Sequence, residues 1–541
     1  MRIDPMEIDN RNRLVTAYLK DYESVADKFD YHPFAIESQE QRLKDLSEMD
    51  HDRDSLVRVL TDMNKSWQAP SSTIENIHKL ADRQTVAVVG GQQAGLMTGP
   101  LYSVHKVISI LHYAKQAEEN LRVPVVPVFW VAGEDHDFAE VNHLMQRTDN
   151  RMKKIQTAQR VERKYPVSDV QLDKAVTKEW LDRVFAELEE TAFTKDIHRE
   201  LEAMIEDATS YVDFFVKVIY RLFNEEGIVL IDSNHPELRE MESGHFVRMI
   251  ENNENIARGV YASCHESALQ GFPVALDSEL NDAHLFYHLD GERILLVRDE
   301  EGKYIGKQHE VAFTREELLD IARNEPEKLS NNVVTRPIMQ ELVFPTLAFI
   351  GGPGEISYWS VLKASFGVMN LKMPPIVPRL SFTWIDRKTV KYASEFQLSI
   401  KEIILNGTGY HKSAWLMSQN YPPLEQSIDQ VKLELERIHE PLRKKAGTIR
   451  DDLGALAEKN LFHLFREVEF LGQRMAHAME EKHERELKKF DHLSVHLHPE
   501  GGLQERMWGV LPFINTYGWG IFQEVVKHRL SSEASHYGVY L

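Results

Sequence analysis

The fold is decided at Thr85-Val-Ala-Val-Val-Gly-Gly-Gln-Gln-Ala-Gly-Leu-Met-Thr-Gly-Pro-Leu-Tyr-Ser-Val-His-Lys106. The residues from Thr85 to Gly90 form a β-branched run that ends in glycines, which is typical of a buried strand that meets a tight turn. Pro100 then begins a helical pattern, because proline is tolerated in a first turn, and Thr98 is placed to cap it. The stretch therefore predicts a strand, a loop and a helix.

Further apolar runs repeat this order of elements. Val125-Val-Pro-Val-Phe-Trp-Val131 follows the helix, and Phe344-Pro-Thr-Leu-Ala-Phe-Ile350 precedes a second glycine loop and helix. Buried strands that alternate with helices are typical of a parallel, doubly wound sheet. We therefore expect an α/β fold, with a Rossmann-like parallel-sheet core that carries insertions and an added α-helical coiled-coil domain.

Five segments are predicted along the 541 residues. They are the first part of a Rossmann-like nucleotide-binding core (1–150), an inserted connecting-peptide region (151–330), the second part of the core (331–385), a helical coiled-coil domain (386–490) and an aromatic C-terminal segment that docks on the core (491–541).

The coiled-coil prediction depends on an apolar seam from Leu424 to Met475. Its residues step by alternating three and four positions, which is the spacing of a coiled coil, with a phase slip near Ala457. Pro441 is expected to kink or interrupt the first helix. The alternative is a simple pair of packed helices. Because the seam is longer than an intramolecular pair commonly needs, we expect it to form a homodimer.

Composition excludes several classes of protein. Lys and Arg number 64 against 85 Asp and Glu, a net charge of −21, which argues against a nucleic-acid partner. A single cysteine, Cys264, excludes an intrachain disulfide and a cysteine-based metal cage. Met1 to Asn10 lacks the apolar region of a secretory signal, and the longest apolar run, 123–133, is about half of a membrane span. We expect a cytoplasmic protein without a membrane partner.

The glycine loop predicts a nucleotide site, because glycine lets the backbone approach a phosphate between a strand and a helix. Neither a Gly-x-Gly-x-x-Gly nor a Walker-A pattern is present. Gly99-Pro-Leu-Tyr-Ser-Val-His105 instead has the spacing of the Gly-x-Leu-His-Ile-Gly-His run of class I aminoacyl-tRNA synthetases and nucleotidyltransferases, with His105 at the second histidine. A glycine-rich turn with a packed helix histidine is the alternative. The predicted nucleotide-binding residues are Gly90, Gly91, Gln92, Gln93, Gly95, Gly99 and Tyr102.

A second predicted site is the acidic loop Gly133-Glu-Asp-His-Asp137, which follows a buried strand. Crowded carboxylates at a strand's carboxyl end are costly unless they bind a cation, pair with a base or activate a substrate group. Asp135 and Asp137 are candidates for Mg²⁺ or a substrate amine, and Asp135 and His136 for proton transfer. Glu134 and Asp137 are assigned to substrate binding. The alternative is a helix cap, in which Glu134 and Asp135 favour a helix start and Asp137 faces solvent.

A third predicted site lies between Leu329 and Glu355. Arg336 suits a carboxylate or phosphate because its planar guanidinium can bind either with two hydrogen bonds, although structural pairing would explain it equally. Asn332, Gly352 and Glu355 complete the predicted substrate-binding set. No residues are assigned to a resident metal, since the histidines show no His-Glu-x-x-His spacing.

Three blocks together resemble the BshC family, the cysteine-adding enzymes of bacillithiol biosynthesis. They are VVGGQQAGLMTGPLYSVHK, VPVVPVFWVAGEDHD and NNVVTRPIMQELVFPTLAFIGGPGEISYW. The resemblance implies a core similar to class I synthetases with connecting-peptide insertions, and a coiled coil used for homodimerisation. It also implies the last pathway step, in which cysteine is joined to glucosaminyl malate.

Amide formation from a carboxylate needs a leaving group, which ATP supplies as an acyl adenylate or an acyl phosphate. We expect His105 to stabilise charge on the α-phosphate, and Asp135 or His136 to accept the proton of the glucosamine amine. Two other classes stay open. One is a synthetase-like enzyme that joins another amino acid to a small amine, and the other is a noncatalytic coiled-coil scaffold.

Overall fold

The computed structural model describes residues 1–8, 12–148, 150–419 and 423–541. Its strands, in chain order, are β1 (Arg2–Met6), β2 (Val86–Gln92), β3 (Val125–Val131), β4 (His143–Thr148), β5 (Arg151–Gln156), β6 (Val229–Asp232), β7 (Asp282–Leu289), β8 (Glu292–Arg298), β9 (Tyr304–Gly306), β10 (Ala312–Phe313), β11 (Leu329–Asn331), β12 (Thr346–Gly351), β13 (Ile376–Pro378), β14 (Phe382–Ile385) and β15 (His536–Tyr540).

The helices are α1 (Arg13–Lys20), α2 (Ile36–Ser47), α3 (Arg53–Ser66), α4 (Ser71–Lys79), α5 (Tyr102–Leu121), α6 (Phe138–Val141), α7 (Lys174–Ala186), α8 (Thr194–Asp207), α9 (Tyr211–Leu222), α10 (Pro236–Glu251), α11 (Asn253–Leu269), α12 (Arg315–Asn324), α13 (Thr335–Val343), α14 (Pro353–Trp359), α15 (Lys363–Val368), α16 (Arg387–Glu395), α17 (Ile400–Asn406), α18 (Gly409–Ser418), α19 (Leu424–Ile449), α20 (Asp451–Lys482), α21 (Glu484–Leu497), α22 (Leu511–Tyr517) and α23 (Gln523–Val526). Across the described ranges, none of these helices combines the length and apolar character that a membrane crossing requires.

The core is a five-stranded parallel sheet in the order β13-β12-β2-β3-β6. Its β-branched strands are buried on both faces, as a sheet covered by helices on each side requires. The predicted Rossmann-like core is therefore confirmed. However, β6 lies inside the segment predicted as a continuous insertion, and its pairing with β3 corrects that boundary.

Three further sheets accompany the core sheet, and the smallest is the antiparallel pair β4-β5. An antiparallel sheet, β10-β9-β8-β7-β11, is built mostly from the inserted region and leads through β11 into α13. A second sheet, β1-β15-β14, joins the first strand of the chain to its last. Trp508, Phe513 and Phe522 are buried against the main core, so these aromatic side chains attach the C-terminal segment to the core.

The predicted coiled coil is an antiparallel hairpin of α19 and α20. Ile428 lies against Gly472 and Arg443 binds Glu458 at 2.9 Å, so the two helices run past each other within one chain. The turn at Arg450 separates the two halves of the seam. α19 continues through Pro441, so of the two expected effects, a kink or an interruption, the structure rules out the interruption. Because Pro441 is exposed, water can satisfy the carbonyl that it leaves without a partner.

Candidate active site

A cleft of about 780 Å³ opens at the carboxyl ends of the parallel strands. This is the edge where open α/β sheets bind their ligands. The core supplies most of its wall, and the helical and C-terminal segments close the other side. Those segments contribute Ile404, Leu405, His498, Gly501, Gly502, Leu503, Glu505 and Arg506.

Four predicted nucleotide-binding residues, Gly91, Gln92, Gln93 and Tyr102, line this cleft. Gly91 must be glycine, since a Cβ there would lie 2.4 Å from the Trp130 carbonyl oxygen on the neighbouring strand. Close packing of β2 against β3 therefore leaves this strand end without a side chain.

The other three glycines of the loop have structural roles, which corrects their assignment to nucleotide binding. Gly90 packs against Ile110, and a Cβ on Gly95 would meet the backbone of Gly99 at 2.9 Å. Gly99 has φ +67° and ψ −147°, a conformation that disfavours residues with a side chain. These residues shape the turn and do not line the cleft.

His105 does not reach the cleft, which corrects its predicted contact with the nucleotide phosphate. It is fully buried, and both ring nitrogens are engaged. Nε2 accepts a hydrogen bond from the Trp384 indole at 3.1 Å, so Nδ1 carries the proton and donates to Glu505 at 2.8 Å. Burial lowers the pKa of His105, which favours this neutral form. The ring supports the cleft wall through Glu505.

Glu505 connects His105 to a cation of the cleft. Its carboxylate accepts hydrogen bonds of 2.8 and 2.6 Å from the two terminal nitrogens of Arg379. Although burial favours the neutral acid, Arg379 and His105 hold the pKa of Glu505 well below its usual range. This pair was not predicted from the sequence. Arg379 directly follows β13, so its place at the end of a parallel strand was the available signal.

Lys106 is a second cation that the sequence analysis missed. It lies one helical turn after Tyr102, and its Nζ donates to the Gly91 carbonyl at 2.7 Å and to Glu355. Burial lowers the pKa of the Lys106 ammonium, while Glu355 opposes that change. The i, i+4 spacing from Tyr102 on α5 was the signal that could have identified it.

Glu355 and Gly352, which were predicted to bind substrate, line the cleft. The Gly352 N–H donates to the Glu355 carboxylate at 2.7 Å, and the same oxygen accepts from Lys106. The Gly352 amide is therefore engaged within the protein. Glu355 holds Lys106 against β2, which gives this carboxylate a positioning role.

Of the four polar residues in the acidic loop, one lines the cleft and three lie outside the cleft wall. Asp135 lines the cleft; its Oδ1 accepts from Arg293 at 3.1 Å and its Oδ2 from Gln93 at 3.4 Å. Asp137 is exposed, as the alternative proposed, and it also caps α6 by accepting from the Ala139 N–H at 3.1 Å. Substrate binding by Asp137 is therefore corrected to helix capping.

Glu134 and His136 also lie outside the cleft wall. Glu134 is buried in an ion pair with Arg239, which also binds Glu242 at 2.7 Å. Its predicted substrate contact is therefore corrected to structural pairing. The His136 ring packs edge-on against Phe286, and burial lowers the pKa of His136. Its predicted role as the base has no support from this position.

The acidic loop lies against the end of β6. A Cβ on Gly133 would overlap both Asp232 and Ser168 at 2.0 Å, so glycine is required there. Asp232 accepts from the Ser168 hydroxyl at 2.7 Å and from the Asn234 N–H at 3.0 Å. Burial outweighs these bonds and raises the pKa of Asp232 to about 6.

Asp232→Asn is expected to change how stability depends on pH. A raised carboxyl pKa means that the folded wild type binds more protons than the unfolded chain between about pH 4 and 6, so its stability falls as pH rises through that window. The uncharged variant avoids this loss and should be more stable at pH 8 by about 3 kcal/mol, with no difference at pH 4. Calorimetric melting at both pH values measures this, with exposed Asp62→Asn as the control. Equal pH dependence in wild type and Asp232→Asn would contradict it.

Arg336 is the predicted anion-binding residue that the structure places in the cleft. Its described hydrogen bond is to the Tyr358 hydroxyl at 3.3 Å, and no carboxylate pairs with it directly among the described residues. Asn332 instead caps the start of α13 by accepting from the Val334 and Thr335 amides at 2.8 and 3.2 Å. This corrects its assignment to substrate binding.

The cleft combines separated positive and negative groups. Its lining cations are Lys106, Arg336, Arg379 and Arg506, and its lining carboxylates are Asp135, Glu140, Glu355 and Glu505. Two cations are already paired, to Glu355 and Glu505. Arg336 is therefore available to bind an anionic ligand with two hydrogen bonds. In the described ranges, no three His, Cys, Asp or Glu side chains converge as ligands of a metal.

Comparison with known proteins identifies the family. Residues 1–380 match the family model of the BshC N-terminal Rossmann-like domain of bacillithiol biosynthesis, and residues 382–541 match the BshC C-terminal coiled-coil domain. A protein of Oceanobacillus iheyensis named "Putative cysteine ligase BshC" is 42% identical over 546 residues, which cover 100% of both chains. Proteins of the same name from Bacillus thuringiensis and Bacillus cereus are 37% and 38% identical over 528 residues, or 98% of each chain. The chain therefore belongs to the BshC family of bacillithiol biosynthesis.

Proposed function

We propose that the protein is an ATP-dependent ligase that joins the carboxylate of cysteine to the amine of glucosaminyl malate. The names of the relatives support a cysteine ligase and the family supports the pathway. One observation carries the proposal. The cation Arg336 lines the cleft together with Gly91, where β2 has no side chain to keep a ligand from its backbone. This combination suits substrates that carry phosphates and carboxylates.

The residues of the cleft fit a nucleotide. Gly91 lets a ligand approach the backbone, and the Gln92 and Gln93 side chains offer amide donors beside it. ATP would convert the cysteine carboxylate oxygen into a leaving group. Mg²⁺ would be held chiefly by the phosphates, because Mg²⁺ sites commonly combine one or two carboxylates with substrate phosphates.

The chain's own residues would bind and orient the reactants. Arg336 would hold an anionic group with two hydrogen bonds, and the Arg379–Glu505 pair would fix the wall beside it. Asp135 would accept a hydrogen bond from the substrate amine, since Arg293 holds one of its oxygens and Gln93 makes only a 3.4 Å contact with the other. Trp130 and Phe349 would exclude water from the activated acyl group.

The direct test incubates purified protein with ATP, cysteine and glucosaminyl malate and follows products by mass spectrometry. We expect a thiol-containing amide that forms only when all three substrates are present. AMP release would assign an acyl adenylate, and ADP release an acyl phosphate. Serine and alanine replace cysteine as controls. Faster amide formation with either would favour the synthetase-like alternative, and no ATP turnover with any acceptor would contradict the ligase.

We also propose that the hairpin of α19 and α20 forms a homodimer with a second copy. The hairpin buries only part of its apolar seam. Ile438 and Leu442 are 67% and 61% exposed in the single chain. The further exposed seam residues are Val431, Ile449, Leu456, Leu471 and Met475. On α19 the exposed seam residues Val431, Ile438, Leu442 and Ile449 are seven, four and seven positions apart, so they lie on one side of the helix. An exposed apolar stripe of this kind is typical of a protein interface.

A further inference from the structure

His498 occupies a boundary between two cavities. It directly follows α21, its N–H donates to the Ser494 carbonyl at 2.8 Å, and its ring packs closely against Gly407. It lines the main cleft and also a smaller cavity of about 330 Å³, whose lining includes Asn150, Gly407 and Ser494. The ring is therefore held by its surroundings at the edge of the candidate active site.

One nitrogen of the His498 ring has a defined partner. Nδ1 lies 2.7 Å from the Ile404 carbonyl oxygen. A carbonyl oxygen only accepts, so Nδ1 carries the proton and the lone pair of neutral His498 lies on Nε2. Among the described residues, no protein group binds Nε2. A histidine fixed in this tautomer, with a free Nε2, can accept a proton from a ligand.

The other predicted base candidates are less suited to this role. His105 has both nitrogens engaged, and His136 lies outside the cleft wall. The Asp135 carboxylate already accepts hydrogen bonds from the Arg293 guanidinium at 3.1 Å and from Gln93 at 3.4 Å. Within the described part of the cleft lining, His498 supplies the one imidazole.

We propose that His498 Nε2 accepts the proton released when the substrate amine attacks the activated acyl group, a role that rests on the ligase function proposed above. The amine nitrogen forms a bond to the acyl carbon, and the bond from that carbon to the phosphate oxygen breaks. The phosphate group leaves with the electron pair. The ammonium proton passes to His498 Nε2, and His498 later releases it to solvent.

His498→Asn tests this role because the asparagine amide can keep the hydrogen bond to the Ile404 carbonyl while Nε2 is lost. We expect amide formation to fall about 100-fold or more, as loss of a general base commonly causes. Cysteine-dependent exchange into ATP of labelled pyrophosphate, for an acyl adenylate, or of labelled ADP, for an acyl phosphate, should continue, since that step precedes amine attack. His411→Asn, which changes a histidine outside the cleft lining, should leave both rates unchanged.

A second variant separates proton transfer from a structural role. His498→Ala should lose amide formation and regain part of it when imidazole is added, because imidazole can replace the missing base. Unchanged amide formation in His498→Asn would overturn the proposal while leaving the ligase intact, as would a loss in His498→Ala without imidazole rescue. Absence of exchange and of amide formation in the wild type would instead overturn the ligase function itself.

Discussion

Arg336→Met is expected to lower kcat/KM for ligation about 1,000-fold, because two charge-assisted hydrogen bonds to a substrate anion would be lost, at about 2 kcal/mol each. Thermal stability should change little, since the described partner of Arg336 is one hydroxyl, that of Tyr358, at 3.3 Å. Steady-state kinetics with varied ATP and glucosaminyl malate measures the loss and indicates which substrate Arg336 holds.

Two matched variants accompany this test. Arg58→Met removes an arginine that lies outside the cleft lining and should leave kcat/KM unchanged. Tyr358→Phe removes only the neutral partner of Arg336, so a loss of about tenfold or less is expected. If Arg336→Met retained wild-type kinetics, the substrate anions would bind elsewhere and the proposed use of the cleft would be wrong.

The double variant Ile438→Glu, Leu442→Glu is expected to weaken self-association at least 100-fold. Each substitution removes about 1.5–3 kcal/mol of apolar burial in the proposed interface and places a carboxylate there. Analytical ultracentrifugation over a concentration series measures the dimer dissociation constant. Ligation by the dissociated variant should persist, since neither residue lines the cleft.

Leu433→Glu is the matched control for the dimer. Leu433 is 62% exposed on the same helix but is not part of the seam, so association should be unchanged. Leu435, which lies on the seam, is a poorer test because it is half-buried within the hairpin and its substitution would disturb one chain's own packing. A wild-type monomer at micromolar concentration would rule out the proposed dimer.

The local sequence predicted the core of the fold well. β2, β3 and β12 were recognised because each is a buried run of apolar, β-branched residues next to glycine or a helix. β6 was assigned to the insertion because its pairing with β3 joins segments about a hundred residues apart. The β1-β15-β14 sheet was missed for the same reason, since its partners lie at opposite ends of the sequence.

The site was predicted less completely than the sheet. Asp135 and Arg336 were found because charged residues next to strands and helices of the core suggest ligand contact. Glu134 and His105 gave the same local signal, but partners distant in sequence, Arg239 and Glu505, hold them inside the protein. A sequence pattern indicates that a polar residue is near the sheet edge; only the tertiary partners decide whether it faces a ligand.

The His105–Glu505 bond joins residues 400 positions apart. At synthesis rates of about 5–20 residues per second, on the order of 20–80 s separate the addition of these two residues. Throughout that interval the growing chain contains His105 but lacks Glu505, whose carboxylate is its partner. Arg379, once added, waits for the same carboxylate. The cationic wall of the cleft is therefore assembled late, after most of the polypeptide has left the ribosome.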